Sequence, residues 1–261
     1  MSQLRLAWVF FRLGALNELE YRANFFVQLF QALLSIGTAL AALSIVFSHT
    51  TALAGWREDQ LVALLGIYFL VGGMINLVIQ PSMERLMEDV RLGTLDFTLT
   101  KPEDSQLLVS LKQIEIWKLV DVAAGAAVLL VALIRLGAGL GLRQAAAFAA
   151  ALLAGGVIVY SFWLMLATCA FWFVRVQNIL VIFQSMYSAG RWPVSIYPPW
   201  LRSTLTFLVP VAFATTVPAE ALSGRLSGQT LLGAAALAAL LFAFARWFWR
   251  RGIRHYSGAS A

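Results

Sequence analysis

Pro81-Ser82-Met83-Glu84-Arg85-Leu86-Met87-Glu88-Asp89-Val90-Arg91-Leu92-Gly93 opens the one long polar interruption in a chain otherwise made of apolar runs. Met83, Leu86, Met87 and Val90 fall at i, i+3, i+4 and i+7, one stripe of a 3.6-residue helix, and Glu84, Arg85, Glu88, Asp89 and Arg91 fill the remaining face. Ser82 suits the N-cap, and Gly93 can close the C-terminus in a left-handed conformation. The spacing therefore predicts a short, bounded helix over 82–92. Helices that rest on lipid are usually rich in Lys and Arg, because inner-leaflet lipids are anionic. This one is slightly acidic, so its apolar stripe, flanked by Glu84 and Arg91, is expected to seat in a protein groove.

Working outward, the rest of the chain is lipid-soluble. Its 261 residues are 61% hydrophobic and only 12% charged, with a mean hydropathy of +0.80, far from an ordinary soluble domain. The expected class is all-α and polytopic, a single transmembrane domain over 1–261. A formal charge of +6 might point to nucleic acid, but the basic residues sit at the ends of apolar runs, where they fix orientation against headgroups. No nucleic-acid partner is expected; membrane lipids are. The single cysteine, Cys169, cannot form a disulfide within the chain. Arg5 and Arg12 bracket only a short apolar patch with no small-residue cleavage site after it, so residues 1–23 are expected to be retained as an interfacial helix.

A spanning helix needs about 20 mostly apolar residues. Asn24 to Ser48, Gln60 to Gln80, Ala145 to Val174 and Gln229 to Trp249 meet this plainly. A further span over Ile116 to Leu136 carries Lys118 and Asp121, with Glu115 at its edge. Charges at mid-bilayer cost roughly 2.5–3.5 kcal/mol each, so these three are expected at one mouth. The fifth of the six spans begins after Arg175 and meets Arg191 too soon for a full crossing. Beyond it Pro193, Pro198, Pro199, Pro210 and Pro218 interrupt an apolar stretch. Irregular backbone at membrane depth survives only where protein or water satisfies it, so 193–222 is read as a pair of re-entrant half-helices, with Glu220 capping or stabilising a gate.

Assigning odd spans outward places thirteen Lys and Arg residues inside and six, Arg57, Arg135, Arg143, Arg191, Arg202 and Arg225, outside. The positive-inside rule then puts both termini in the cytoplasm.

Polar residues recur inside the apolar runs at helical spacing. Gln28, Gln31, Ser35 and Thr38 form one stripe in the first span, and Tyr68, Gly72, Asn76 and Gln80 another in the second. Asn178, Ser185 and Ser188 lie along the fifth segment, with Gln184 adjacent. Such groups seek partners in lipid, as hydrogen bonds between helices or as the lining of a transport pathway. Enzyme chemistry is missing: there is no phosphate-cradling G-x-x-x-x-G-K-[ST] loop, no HExxH and no cysteine pair, and His49 and His255 stand apart. No catalytic residue, metal ligand or bound cofactor is expected of this chain.

Several strings carry a family likeness: Arg91-Leu92-Gly93-Thr94-Leu95-Asp96 running to Lys101-Pro102, Arg191-Trp192-Pro193 with Ile196-Tyr197-Pro198, Val209-Pro210-Val211-Ala212-Phe213 followed by Val217-Pro218-Ala219-Glu220, and Tyr256-Ser257-Gly258-Ala259. With the six spans and the cytoplasmic helix between spans two and three, the chain resembles the permease subunits of ABC-2-type exporters over nearly its whole length. The resemblance implies a bacterial cytoplasmic membrane protein that pairs with a second permease, a copy or a paralogue. It also implies separate ABC ATPase subunits, holding the ATP and Mg, that dock on Met83, Glu84, Leu86, Met87, Val90 and Arg91 as a coupling helix. Efflux of an amphiphilic, lipid-like or drug-like cargo would follow, a cationic cargo gaining from aromatic faces. The rival readings are a membrane scaffold that recruits a cytoplasmic partner, and a channel; no ring of charges or filter motif favours the latter.

Overall fold

A computed structural model describes residues 22–137, 141–173 and 177–256; the expected interfacial helix over 1–23 lies outside the described residues apart from the helical start at Arg22. The chain is helical throughout, with α1 at Arg22–His49, α2 at Glu58–Met74, α3 at Gln80–Leu92, α4 at Ser105–Ser110, α5 at Leu119–Leu136, α6 at Leu142–Thr168 and α7 at Gln177–Tyr187. Four more follow: α8 at Pro199–Ser203, α9 at Val211–Ala214, α10 at Thr216–Leu222 and α11 at Gly228–Ile253. Among the described residues five helices are long and apolar enough to cross a membrane, over Asn24–His49, Glu58–Leu92, Ile116–Leu136, Leu142–Phe171 and Gly228–Ile253. This is a multi-pass membrane protein.

The expected break before the cytoplasmic helix does not occur. α2 passes through a π-helical turn at Ile75–Ile79 straight into α3, so that Glu58–Leu92 is one 35-residue rod, roughly 50 Å long at 1.5 Å per residue. Pro81 explains both the turn and its survival. Proline has no amide hydrogen to give the carbonyl four residues earlier, and its ring crowds that carbonyl; a π turn takes up the misfit. The carbonyl left over belongs to Leu77, and the Glu115 amide donates to it at 2.9 Å. Ser82 is accordingly not an N-cap: it is fully buried, and its Oγ donates to the Gln113 carbonyl at 2.8 Å and accepts from the Gln113 amide at 3.2 Å. The far end is as read from sequence, with Gly93 left-handed at φ 70° closing the helix.

Close backbone approach holds the second and third spans together. A Cβ on Gly66 would come within 2.6 Å of the Leu129 amide nitrogen, one on Gly73 within 2.8 Å of the Val122 nitrogen, and one on Gly125 would strike the Leu70 backbone. In lipid, where no hydrophobic effect drives helices together, small residues that admit such contact supply the packing attraction.

Between α6 and α11 the backbone is broken into short pieces. The segment after Arg175 forms α7, 11 residues long, and one 3-10 turn at Ser188–Arg191, too short to span. The proline-rich region forms two helical runs, Pro199–Leu208 and Val211–Leu222, bent by 71° at Pro210, either a broken span or a re-entrant loop. Pro199 and Pro218 sit in the first turns of α8 and α10, where a missing amide costs no hydrogen bond. Pro193 and Pro198 are extended residues immediately before short helical turns, and the Val194 amide donates to Thr216 Oγ1 at 3.3 Å. Glu220 closes the exit: its carbonyl accepts from the Arg225 amide at 2.9 Å and the Leu226 amide at 3.2 Å.

Two ends of the bundle are tied by polar contacts. At one, Trp56 donates from Nε1 to Ser195 Oγ at 3.3 Å, and the Arg225 guanidinium lies 4.9 Å from the centroid of its ring. At the other, Arg246 donates to Asp104 at 2.7 Å, Trp249 Nε1 to Ser105 Oγ at 3.4 Å, and Gln106 to Tyr160 Oη at 3.1 Å, pinning α4 across α6 and α11. The α3–α4 segment and the ends of α6 and α11 share this second face.

Two outcomes are expected. Gly125→Val should force α2 and α5 apart and lower the thermal stability of the detergent-solubilised protein by about 1–3 kcal/mol or more, whereas Gly137→Ala, where an added Cβ meets nothing but φ is +83°, should cost only the smaller backbone strain. Asp104 caps α4 through the Gln106 and Leu107 amides. Burial pushes its carboxyl up, but Arg246 and those two amides outweigh that and leave it below the usual carboxylate value. Its contribution is therefore complete above the ordinary aspartate range and lost as the pH falls through the lowered value. Asp104→Ala should cost about 0.5–2 kcal/mol at neutral pH, a loss that shrinks below about pH 4 in pH-dependent thermal melts.

Candidate functional site: a polar cavity between spans

Where α1, α2, α5 and α7 meet, a cavity of about 370 Å³ opens among otherwise apolar helices. α1 contributes Gln28, Gln31 and Ser35, α2 contributes Tyr68 and Gly72, and the π turn after it Asn76; α5 and its lead-in add Lys118 and Asp121, and the α7 segment adds Gln184, Tyr187, Ser188 and Arg191. Apolar wall comes from Ile36, Phe69, Ile75, Trp163 and Phe183. Two polar stripes read separately from helical spacing thus face each other across one space.

Not every residue of those stripes arrives there. Thr38 is exposed and gives its hydroxyl to the Leu34 carbonyl at 2.8 Å. Gln80 lies just outside, accepting from Gln184 and donating to Glu84 at 2.7 Å. On α7 the sequence reading was one residue out of register: Ser185 is turned away and donates back to the Val181 carbonyl at 2.9 Å, while the lining set Gln184, Tyr187, Ser188 and Arg191 follows i, i+3, i+4, i+7. The side chain of Asn178 lies outside the described residues. Arg191, taken from sequence as an anchor at the end of a span, reaches into the cavity instead; the signal that could have found it was its place on that stripe.

Hydrogen bonding separates the lining into two kinds. Gln28 accepts from Lys118 at 3.0 Å, and Lys118 pairs with Asp121 at 3.7 Å, a charge pair within the cavity lining. Tyr187 donates to the Tyr68 carbonyl at 2.9 Å and stacks on the Tyr68 ring, centroids 5.0 Å apart. Gly72 makes room for this, its missing Cβ facing the Tyr187 ring at 3.2 Å. These bonds fix the helices. Gln31 and Asn76, by contrast, have no side-chain hydrogen bond to another described residue, and they present free amides to the cavity.

The α3 stripe has a different fate from the one its periodicity promised. Met83 and Leu86 are 0% and Met87 3% exposed, all in the main core, and Val90 packs against it. The apolar stripe binds the chain's own helices. What α3 presents outward is Glu84 and Arg91, with Arg85 and Glu88 half-buried, and beyond them Leu92 and Phe97, 52% and 76% exposed. Asp89 is 1% exposed and gathers Lys112, Arg85 at 3.3 Å and Thr94 at 3.0 Å, so this segment is held rigidly to the loop that follows.

With a polar cavity inside and a polar platform at one end of a continuous rod, comparison with known families decides the class: the profile described as ABC-2 family transporter protein matches residues 33–260. The chain belongs to the ABC-2 transporter family. No curated protein and no solved structure gives a significant match. Membership makes this ABC-2 protein a membrane component of transport, a permease, in a family whose members work with ABC ATPase subunits.

Replacing Gln31 and Asn76 by Leu should leave the ABC-2 permease folded, with a thermal midpoint within the small range of ordinary surface changes, about ±0.5 kcal/mol. Tyr187→Phe should by contrast lose about 0.5–1.5 kcal/mol by removing the bond to the Tyr68 carbonyl. Equal destabilisation by all three in detergent melts would mean that the two amides hold helices together.

Proposed function

We propose that this ABC-2 permease is the membrane half of an ATP-driven exporter and that the cavity between α1, α2, α5 and α7 is its cargo path. The observation that carries the reading is the Glu58–Leu92 rod: one helix lines the cavity with Tyr68 and Asn76 and, without a break, carries Glu84 and Arg91 at its other end. A push on the polar end moves the cavity wall, and a nucleotide-driven motion that alters cargo affinity between two states does directional work. The cytoplasm is assigned to the α3 side by the excess of Lys and Arg there. ATP and Mg are held by ABC ATPase subunits in trans, and the permease acts with a second copy or a paralogue as one transmembrane domain each. The cargo is an amphiphile, matched by a cavity whose wall is apolar and whose polar groups are few.

The ATPase surface moves from the buried stripe to the exposed side: Glu84, Arg91, Leu92 and Phe97. Arg91→Glu with Phe97→Ser should reduce co-purification of a co-expressed ABC ATPase by about tenfold or more, as loss of one anchor residue of about 2 kcal/mol does, while the permease stays monodisperse. Met87→Glu would bury an unpaired charge and should lose the folded protein instead. An ATPase that binds the double variant as tightly as the parent removes this surface from the mechanism, and failure of any ABC ATPase to assemble or turn over ATP with the parent permease favours a scaffold.

A further inference from the structure

The cavity carries an unbalanced positive charge. Lys118 is neutralised by Asp121, but Arg191 has no carboxylate partner among the described residues; its guanidinium lies over the Tyr68 ring, 5.4 Å from the centroid. An aromatic face attracts a cation without cancelling its charge. Tyr68 is the eleventh residue of α2, about 15 Å along the helix, which is deep in a hydrocarbon layer about 30 Å thick. Ionisable groups at such depth are costly and face either a partner or a water-filled path. The lining beside Arg191 adds no further anion: the free amides of Gln31 and Asn76 each offer a donor and an acceptor, and the buried indole N–H of Trp163, a donor only, has no acceptor among the described residues. A cationic cargo would meet Arg191 already seated on the Tyr68 face.

We propose that the cavity binds an amphiphile bearing one anionic group, a carboxylate or a phosphate, whose oxygens are held by Arg191 while its apolar body lies against Phe69 and Phe183. The inference rests on this cavity being the cargo path, and it sets the sign of charge that the path accepts. Guanidinium suits the role because its fork of donors matches carboxylate and phosphate geometry.

The test uses the full-length permease in phosphatidylcholine nanodiscs, with empty discs as the partition control. 2-Naphthylacetate and 2-(2-naphthyl)ethylamine, nearly matched in shape and opposite in charge, are titrated by equilibrium dialysis. The parent should bind the acid about tenfold or more tighter than the amine, Arg191→Gln should lose that preference, and Arg191→Lys should keep part of it. Equal binding of acid and amine by the parent, or an undiminished preference in Arg191→Gln, overturns the proposal. If Arg191→Gln does not stay monodisperse, the acid–amine ratio of the parent and of Arg191→Lys decides. Doping the discs with phosphatidylglycerol identifies the source: displacement of the acid assigns the site to a lipid phosphate, persistence to a free anionic amphiphile, and both uphold the anion. Because binding is read on the permease alone, an ATPase complex that turns over while no charge preference exists sinks only this inference. A charge preference without any ATPase assembly sinks only the transport reading.

Discussion

The amide hydrogen that Pro81 lacks organises the junction between the second span and the polar segment that follows it. In hydrocarbon an unpaired carbonyl costs several kcal/mol, so Leu77 must find a donor from another segment, and Glu115 supplies it. That single bond, with Ser82 clasping Gln113 one turn later, brings the chain entering the third span against the foot of the second. Lys118 and Asp121 are then delivered to the cavity lining beside Gln28. Helix continuity and the placement of Lys118, Asp121 and the polar loop all follow from one proline and its compensation.

Continuity has a mechanical meaning. A hinge at Pro81 would let α3 move without the span; a π turn braced by Glu115 and Ser82 joins the two as one body. The buried Asp89, held by Lys112, Arg85 and Thr94, extends the same rigidity into the following loop. On the opposite face the prolines do the reverse. They divide the backbone between α7 and α11 into short pieces, bent by 71° at Pro210, so the side taken as outer is built from small bodies while the inner side is built from one long one.

The cavity shows how a membrane protein can keep polar groups without spending them on helix association. Tyr68, Tyr187, Gln28 and Lys118 satisfy one another and fix the walls. Gln31, Asn76 and Arg191 are left facing the space between, and what is left over there is donor-rich and positive. In the proposed cargo path, selectivity would reside in that remainder, because only groups not consumed by the fold are free to discriminate among ligands.

Composition and run length established a helical multi-pass protein and four of its five long helices to within a few residues, because apolar length is a local property; the second runs on to Leu92, past its expected end at Gln80. The left-handed stop came from the glycine at 93, and the likeness to ABC-2 permeases from particular strings such as Arg91 to Asp96. The 3.6-residue period also grouped Gln28, Gln31 and Ser35 on α1 and Tyr68, Gly72 and Asn76 on the second span, residues that line the cavity. It could not say which neighbour each stripe meets. The stripe of Met83, Leu86 and Met87 has the same spacing whether it faces a partner or the chain's own core, and packing against the core decided it. The register of α7, the inward reach of Arg191 and the fusion of α2 with α3 were settled in the same way. Each depends on contacts between residues far apart in the chain, Tyr187 with Tyr68, Arg191 with Tyr68 and Glu115 with Leu77, and no local pattern encodes a distant partner.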